Sequence, residues 1–367
     1  MRTTAAFAAT AILCSASLSL ASTLPSQNSF ALSGADPAPY TQEWVNTLEQ
    51  FYNGFSGLHN NVSDPANECV VQVPEFNCTP PEDDDDGIAD QDRDAWHLRP
   101  KDIRAVIALG DSISAGFAMI SSRPPLSNIW EYRGKAFSSG GDPDEHTLAN
   151  FLAFYTNVTG APPGVTLPLS HGKDLNDAIS GALIQTIPYE ASRLAQILRY
   201  DRQYRSIRNE WKLVTLLIGA NNLCSACLRE SDKQRGGISM EDPADPDAFE
   251  RDLRKTLEVL RNDVGKVFVN LVELFHVTLI YDASRGDAYC EFLFDKSHIY
   301  ICPCARGDPW QRVYTDNLAD EYNRRLRLVA DDYRARAYPD FAVVAQPGLT
   351  RFRAAEFGQA FLSGIDW

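Results

Sequence analysis

The stretch Ala108-Leu109-Gly110-Asp111-Ser112-Ile113-Ser114-Ala115-Gly116 decides how the rest of the chain is read. It completes an apolar run from Ala105 to Leu109 that stops at a glycine. A run that short, with no polar face, reads as a strand buried on both sides, the habit of parallel sheets. Asp111 and Ser112 are cap-forming residues, and the residues after Ser112 are expected to begin a helix. Its N-terminal amides and dipole would favour a developing oxyanion. The plainer reading of the same residues is an ordinary capped strand-to-helix turn.

Three further runs share the pattern: Leu213 to Ile218 ending at Gly219, Val267 to Val272, and Phe341 to Ala345. Between them, amphipathic spacing predicts helices over Tyr189–Tyr200, Ala248–Val264 and Asp316–Ala337. Strands alternating with helices imply a three-layer α/β/α domain on a parallel sheet. In such sheets chemistry collects beyond the carboxyl ends of the strands, which directs attention to Gly110 and Gly219. After Gly219 comes Ala220-Asn221-Asn222, where an Asn side chain can donate an amide N–H to an oxyanion. Ala178-Ile179-Ser180-Gly181-Ala182 offers a glycine whose N–H is free for close approach. Read singly, both are ordinary turns.

Several blocks in one order change that weight. Gly110-Asp111-Ser112, then Ser180-Gly181, then Gly219-Ala220-Asn221 follow the block order of the GDSL, or SGNH, hydrolase superfamily, and the chain resembles its phospholipase B-like lipase branch. The resemblance also rests on His97 to Ile103, Glu131-Tyr132-Arg133-Gly134 with Gly140-Gly141, Thr147 to Leu152, Trp211 to Thr215, Asn221 to Cys224, and Val269 to Glu273. It implies a flavodoxin-like SGNH domain over residues 97–367. Ser112 would be the nucleophile, with the Ser112 N–H, the Gly181 N–H and the Asn221 side chain as oxyanion donors. A weak alcohol nucleophile needs a base, and its tetrahedral intermediate needs preorganised donors.

Two departures stand out. The family's third block usually continues Gly-x-Asn-Asp, whereas Asn222 occupies that last position and is expected to alter local support of the Asn221 loop. The family's final block is Asp-x-x-His; Asp366 takes the Asp position, and the His would be the second residue beyond Trp367. The reading at this level is a shortened triad hydrolase with a final helix also missing. Of the six histidines, His276 is the best substitute base by position, since it follows a strand.

Upstream, Arg2 and an apolar stretch from Ala5 to Leu20 ending in Ser19-Leu20-Ala21 read as a secretory signal, residues 1–21, and the mature protein is expected to be secreted. No later run approaches the roughly 18 apolar residues of a spanning helix. Asn61-Val62-Ser63, Asn77-Cys78-Thr79 and Asn157-Val158-Thr159 are glycosylation acceptors. Residues 22–96 read as an extension with a helical patch near Trp44 to Phe55 and a dense acidic block. That block holds eight acids against Arg93 over residues 81–94, about half of the net charge of −15. Glu82, Asp84 and Asp86, with Gly87 as the turn and Asp90 beyond it, have the alternate-carboxylate spacing of a structural calcium loop, although no bidentate Glu closes it. A solvated acidic linker is the alternative.

Removal of Cys14 with the signal leaves seven cysteines. In an oxidising compartment, disulfides using Cys224, Cys227, Cys290 and one of Cys302 or Cys304 are expected, in preference to a four-thiolate zinc site. The absence of a basic stripe argues against nucleic acid. The expected function is a secreted carboxylic-ester hydrolase that cleaves fatty-acyl esters of phospholipid or lysophospholipid through an acyl-serine, with peripheral membrane-surface contact and no cofactor needed for the chemistry. A carbohydrate-ester deacetylase on the same fold, and a non-catalytic secreted binding protein, are the alternatives.

Overall fold

Four parallel strands, β1 (Ile103–Gly110), β2 (Trp211–Leu217), β3 (Val267–Val272) and β4 (Phe341–Gln346), lie side by side in chain order. The structure is a computed structural model and describes residues 87–117, 119, 130–167, 172–227, 242, 244–285 and 302–350. All four strands fall where the apolar runs place them. On the far side of β1, Thr159 and Asn176 make isolated parallel bridges to Ala105 and Ala108. Counted as a rudimentary strand, that segment gives the spatial order 2-1-3-4-5 of flavodoxin-like sheets, with the direction of winding reversing between β1 and β2.

Alternation along each strand assigns the two faces. Val267, Val269 and Leu271 of β3, with Val214 and Leu216 of β2, enter the larger core, whereas Trp211, Leu213 and Ala342 enter the smaller one. The helices α1 (Ser112–Ala115), α2 (Leu148–Ala153), α3 (Ile187–Tyr200), α4 (Ala220–Ser225), α5 (Pro246–Val259), α6 (Leu279–Ser284) and α7 (Pro309–Arg336) complete the fold. Leu194 of α3, Phe249 and Leu253 of α5 and Tyr322 and Leu326 of α7 fill the larger core, where Phe249 stacks on Tyr322 with ring centroids 4.1 Å apart. The other face is thinner, covered by Leu148 and Leu152 of α2 and by Ala95, Trp96 and Leu98. Ala95 also donates its N–H to Pro339 O (2.7 Å), so residues just upstream of position 97 are seated on this domain.

All three expected helices begin earlier than their apolar spacing suggests, α3 at Ile187 in place of Tyr189. Helix α5 starts at Pro246 because the Asp245 side chain accepts from Asp247 N, and α7 starts at Pro309, where Asp308 and Gln311 form a reciprocal capping box. Trp310, Val313 and Tyr314 are exposed, so the first two turns of α7 carry no amphipathic signal. The helix expected through Val264 ends its α-helical part at Val259 and closes with a π-type turn, Leu260–Val264, before Gly265.

Two disulfides, Cys224–Cys302 and Cys227–Cys304, tie α4 to the turn that precedes α7. Both Cys302 and Cys304 are used, where only one was expected. Cys69, Cys78, Cys290, the Trp44–Phe55 patch, Asn61 and Asn77 lie outside the described residues; Asn157 is exposed. Among the described residues no helix is long and apolar enough to cross a membrane.

The bridges span separations of 78 and 77 residues, so either one alone closes nearly the same loop. On chain-entropy grounds, losing one costs roughly 2 kcal/mol and losing both roughly 7 kcal/mol. Denaturant melts of Cys227→Ala/Cys304→Ala and of the four-cysteine variant are expected to show this excess over additivity; simply additive losses would contradict it.

Candidate active site

Strand β1 delivers its last residues to the reversal of winding. Gly110 has φ 144°, and a Cβ there would stand 2.1 Å from Leu217 O, so only glycine lets β1 and β2 end this close together. The Gly110 N–H donates to Glu190 Oε2 (3.0 Å), and Gly110 O accepts from Ile179 N (3.0 Å). Asp111 is buried, and its Oδ1 accepts from Ile113 N (3.0 Å), which caps α1 and turns Ser112 to its first position. Burial pushes the Asp111 carboxyl up to about 7. Helix α1 is only four residues long and ends at Gly116, so the macrodipole expected behind Ser112 is slight; the useful donor is the single Ser112 N–H.

The Gly181 loop is bonded to this turn from one side and to α4 from the other. Gly181 has φ 83°, with nothing within 4 Å of where a Cβ would stand, so the glycine answers a backbone need and not a lack of room for a side chain. A buried ion pair holds the loop. The Arg133 guanidinium has no exposed surface; Nη2 donates to Glu131 Oε2 (2.7 Å) and Ala178 O (2.9 Å), Nη1 to Asn176 O (3.0 Å) and Asn176 Oδ1 (2.8 Å), and Nε to Thr166 Oγ1 (2.9 Å). Glu131 Oε1 in turn accepts from Ser180 Oγ (2.6 Å), and Asn176 Nδ2 donates to Ser114 O (2.9 Å). One network thus joins the residue before Gly181 to the helix that Ser112 begins.

Asn221 stands in the first turn of α4, after β2. Its Nδ2 donates to Ala182 O (3.0 Å), which spends one of its two N–H bonds and fixes the direction of the other. Asn222 is buried: Oδ1 accepts from Ile184 N (3.0 Å) and Nδ2 donates to Gln185 Oε1 (3.1 Å). The amide therefore ties α4 to the segment following Gly181 and uses both of its ends. Ser112, Gly181 and Asn221 are thus carried by three neighbouring strand ends cross-linked by hydrogen bonds.

Other expected site residues are not brought here. Asp366, Asp84 and Asp86 lie outside the described residues. Asp90 opens a 3-10 turn and its carboxylate is ion-paired with Arg99 and, at 3.7 Å, with Arg93. Among the described residues no group of three His, Cys, Asp or Glu side chains is placed to hold a metal ion. His276 stands beyond β3, where Nε2 pairs with Asp320 Oδ1 (2.9 Å) and Nδ1 lies 4.0 Å from Asp316 Oδ1, both on α7. No hydrogen bond joins it to the Ser112 turn among those described.

The profile of GDSL-like lipase/acylhydrolases matches residues 106–365. The chain belongs to that family. Among curated proteins it is similar to "Phospholipase B1, membrane-associated" of Mus musculus, 28% identical over 261 residues, 69% of this chain and 17% of the relative. The protein of the same name from Rattus norvegicus is 29% identical over 262 residues, 70% of this chain and 17% of the relative. That from Homo sapiens is 29% identical over 267 residues, 68% of this chain and 17% of the relative. The chain thus spans about a sixth of the length of these relatives.

Family matching in the sequence picked out Glu131, Arg133 and the Leu148 helix without giving them a task. Their task is long-range: Arg133 meets carbonyls 43 and 45 residues away. Arg133→Lys keeps the charge but has three N–H bonds on one nitrogen and cannot reproduce the fork. Stranding Asn176, Ala178 and Glu131 is expected to cost about 3 kcal/mol or more, read as a lowered denaturation midpoint at unchanged slope. A midpoint within error of the unaltered protein would show that the knot holds nothing.

Proposed function

We propose that this protein is a secreted carboxylic-ester hydrolase that cleaves fatty-acyl esters of phospholipid or lysophospholipid through an acyl-enzyme on Ser112. The observation that carries the proposal is that the loops bearing Ser112, Gly181 and Asn221 are hydrogen-bonded to one another, Ile179 N to Gly110 O and Asn221 Nδ2 to Ala182 O. In the reaction, Ser112 Oγ attacks the ester carbonyl carbon as its proton passes to the base. The alcohol leaves with that proton, and water then attacks the acyl-serine to release the acid and restore the hydroxyl. The carbonyl oxygen, negative in the tetrahedral intermediates, takes hydrogen bonds from Ser112 N, Gly181 N and the second N–H of Asn221 Nδ2. In the family's pattern the base is the histidine of Asp-x-x-His, which Asp366 would orient.

Lipid as substrate is supported by the name of the phospholipase relatives and by what stands beside Ser112. Phe117 donates its N–H to Ser112 O (2.9 Å) and pairs with Glu131, which pairs in turn with Thr166. The inward side of this small ribbon is Glu131 and Thr166; its outward side shows Trp130, Val165 and Leu167, all exposed, with Met119 near its start. An exposed apolar patch against a catalytic turn suits contact with an acyl-chain surface. The two disulfides support an oxidising, extracellular location. A structural calcium ion at Asp84, Asp86 and Asp90 would have to draw Asp90 away from Arg99.

A fluorophosphonate probe is expected to label the full-length protein and not its Ser112→Ala variant. Asn221→Ala is expected to lower kcat on lysophosphatidylcholine by about 10²- to 10³-fold with KM little changed. Labelling that persists without Ser112 would overturn the nucleophile, and turnover of acetylated sugars in place of lysophospholipid would overturn the substrate class. For the surface, Trp130→Asp/Leu167→Asp is expected to weaken binding to phosphatidylcholine vesicles at least tenfold while leaving hydrolysis of a short soluble ester unchanged. Unaltered vesicle binding would exclude this ribbon.

A further inference from the structure

Glu190, on α3, is fully buried directly behind the turn that carries Ser112. Its Oε2 accepts from Gly110 N, and the neighbouring residue is a second buried carboxyl, Asp111, whose Oδ1 caps α1. The remaining oxygens, Glu190 Oε1 and Asp111 Oδ2, are both shut off from water and have no hydrogen-bond partner. Two ionised carboxylates with unmet lone pairs do not persist side by side in a dry interior. The charges facing Glu190 are Asp111 from the β1 turn and Arg133 from the turn at residues 133–135. The Arg133 charge draws the Glu190 carboxyl down in part, but no hydrogen bond joins the two, because the Arg133 N–H groups are committed to Glu131, Thr166, Asn176 and Ala178. Arg193, the next charge along α3, is paired with Asp177.

We propose that Glu190 and Asp111 hold one proton between them at neutral pH, carried on Glu190 Oε1, and that this neutral acid is a positioning group for the Ser112 turn. Glu190 Oε1, buried and without a donor aimed at it, is the oxygen on which such a proton sits. Held neutral, Glu190 braces the Gly110 N–H without placing a second negative charge behind the oxyanion site. Its positioning role rests on the reading of Ser112 as nucleophile; the proton itself does not.

Burial, with Asp111 adding to it, holds the Glu190 carboxyl well above the usual carboxylate range. The folded protein therefore keeps a proton that the unfolded chain has lost. Stability contributed by the acid is fully present below the ordinary glutamate value and declines as pH rises toward the folded value. Glu190→Gln, neutral at every pH, lacks this decline. Its unfolding constant relative to the unaltered protein is expected to fall by up to tenfold per pH unit above about pH 5.

Infrared difference spectra of the full protein are expected to show a carboxylic-acid C=O band at pH 7 that Glu190→Gln removes. In Asp111→Asn the band should remain and titrate at lower pH, since the like charge is gone. Glu190→Gln should keep the fluorophosphonate labelling rate of Ser112 and extend it to higher pH, whereas Glu190→Ala should slow labelling at least tenfold. No acid band at pH 7, or a stability difference independent of pH, would overturn the shared proton even in an inactive protein. If the band is present and Glu190→Ala labels at the unaltered rate, the positioning role fails. Loss of labelling in Ser112→Ala remains the separate test of the nucleophile.

Discussion

A guanidinium with no exposed surface survives only where every N–H finds an oxygen, and the architecture around Ser112 follows from meeting that condition for Arg133. The oxygens come from the Glu131 ribbon, from Thr166 across it, and from the chain at Asn176 and Ala178. A loop that would otherwise be free to choose its path past Gly181 is thereby fixed at two carbonyls and, through Ser180 and Glu131, at a side chain. The same Asn176 reaches Ser114, so the loop and the Ser112 turn are set by one group. Preorganised donors stabilise a transition state only if they do not have to move, and this buried charge is what removes their freedom.

The sheet supplies the second half of that rigidity. Strands β1 and β2 stop at the same level, Gly110 opposite Leu217, where the winding reverses. Gly110 permits the close approach to Leu217, Asn222 pins α4 to Ile184, and the two disulfides hold the far end of α4 against the turn before α7. An asparagine in place of the family's usual aspartate does not loosen this loop. Its amide satisfies a donor and an acceptor at once, which a carboxylate does not do.

The fold was legible because its strands are short apolar runs with no polar face, and nothing but burial in a parallel sheet suits Ala105 to Leu109 or Val267 to Val272. Helix starts were less legible. Asp245-Pro246 and Asp308-Pro309 are start signals, but the first turns of α7 expose Trp310 and Val313, so hydrophobic spacing places the beginning too late. At the site, Ser112 and Asn221 could be named because each follows a strand, and Gly181 because it stands between them in a recognisable block order. Glu131 and Arg133 were marked only as matching residues without a task, and Asn176 and Glu190 not at all, since a polar group that is buried looks in sequence like one that is solvated. Only the partner tens of residues away distinguishes them.

Residues 106–365 place the chain in the GDSL-like lipase/acylhydrolase family. In the proposed reaction three donors meet one oxygen. A crystal structure of the protein with a phosphonate bound covalently to Ser112 tests it most directly. The phosphoryl oxygen is expected within about 3 Å of Ser112 N, Gly181 N and Asn221 Nδ2 together, with the Gly181 loop unmoved. A phosphoryl oxygen turned away from Gly181 and Asn221 would contradict it.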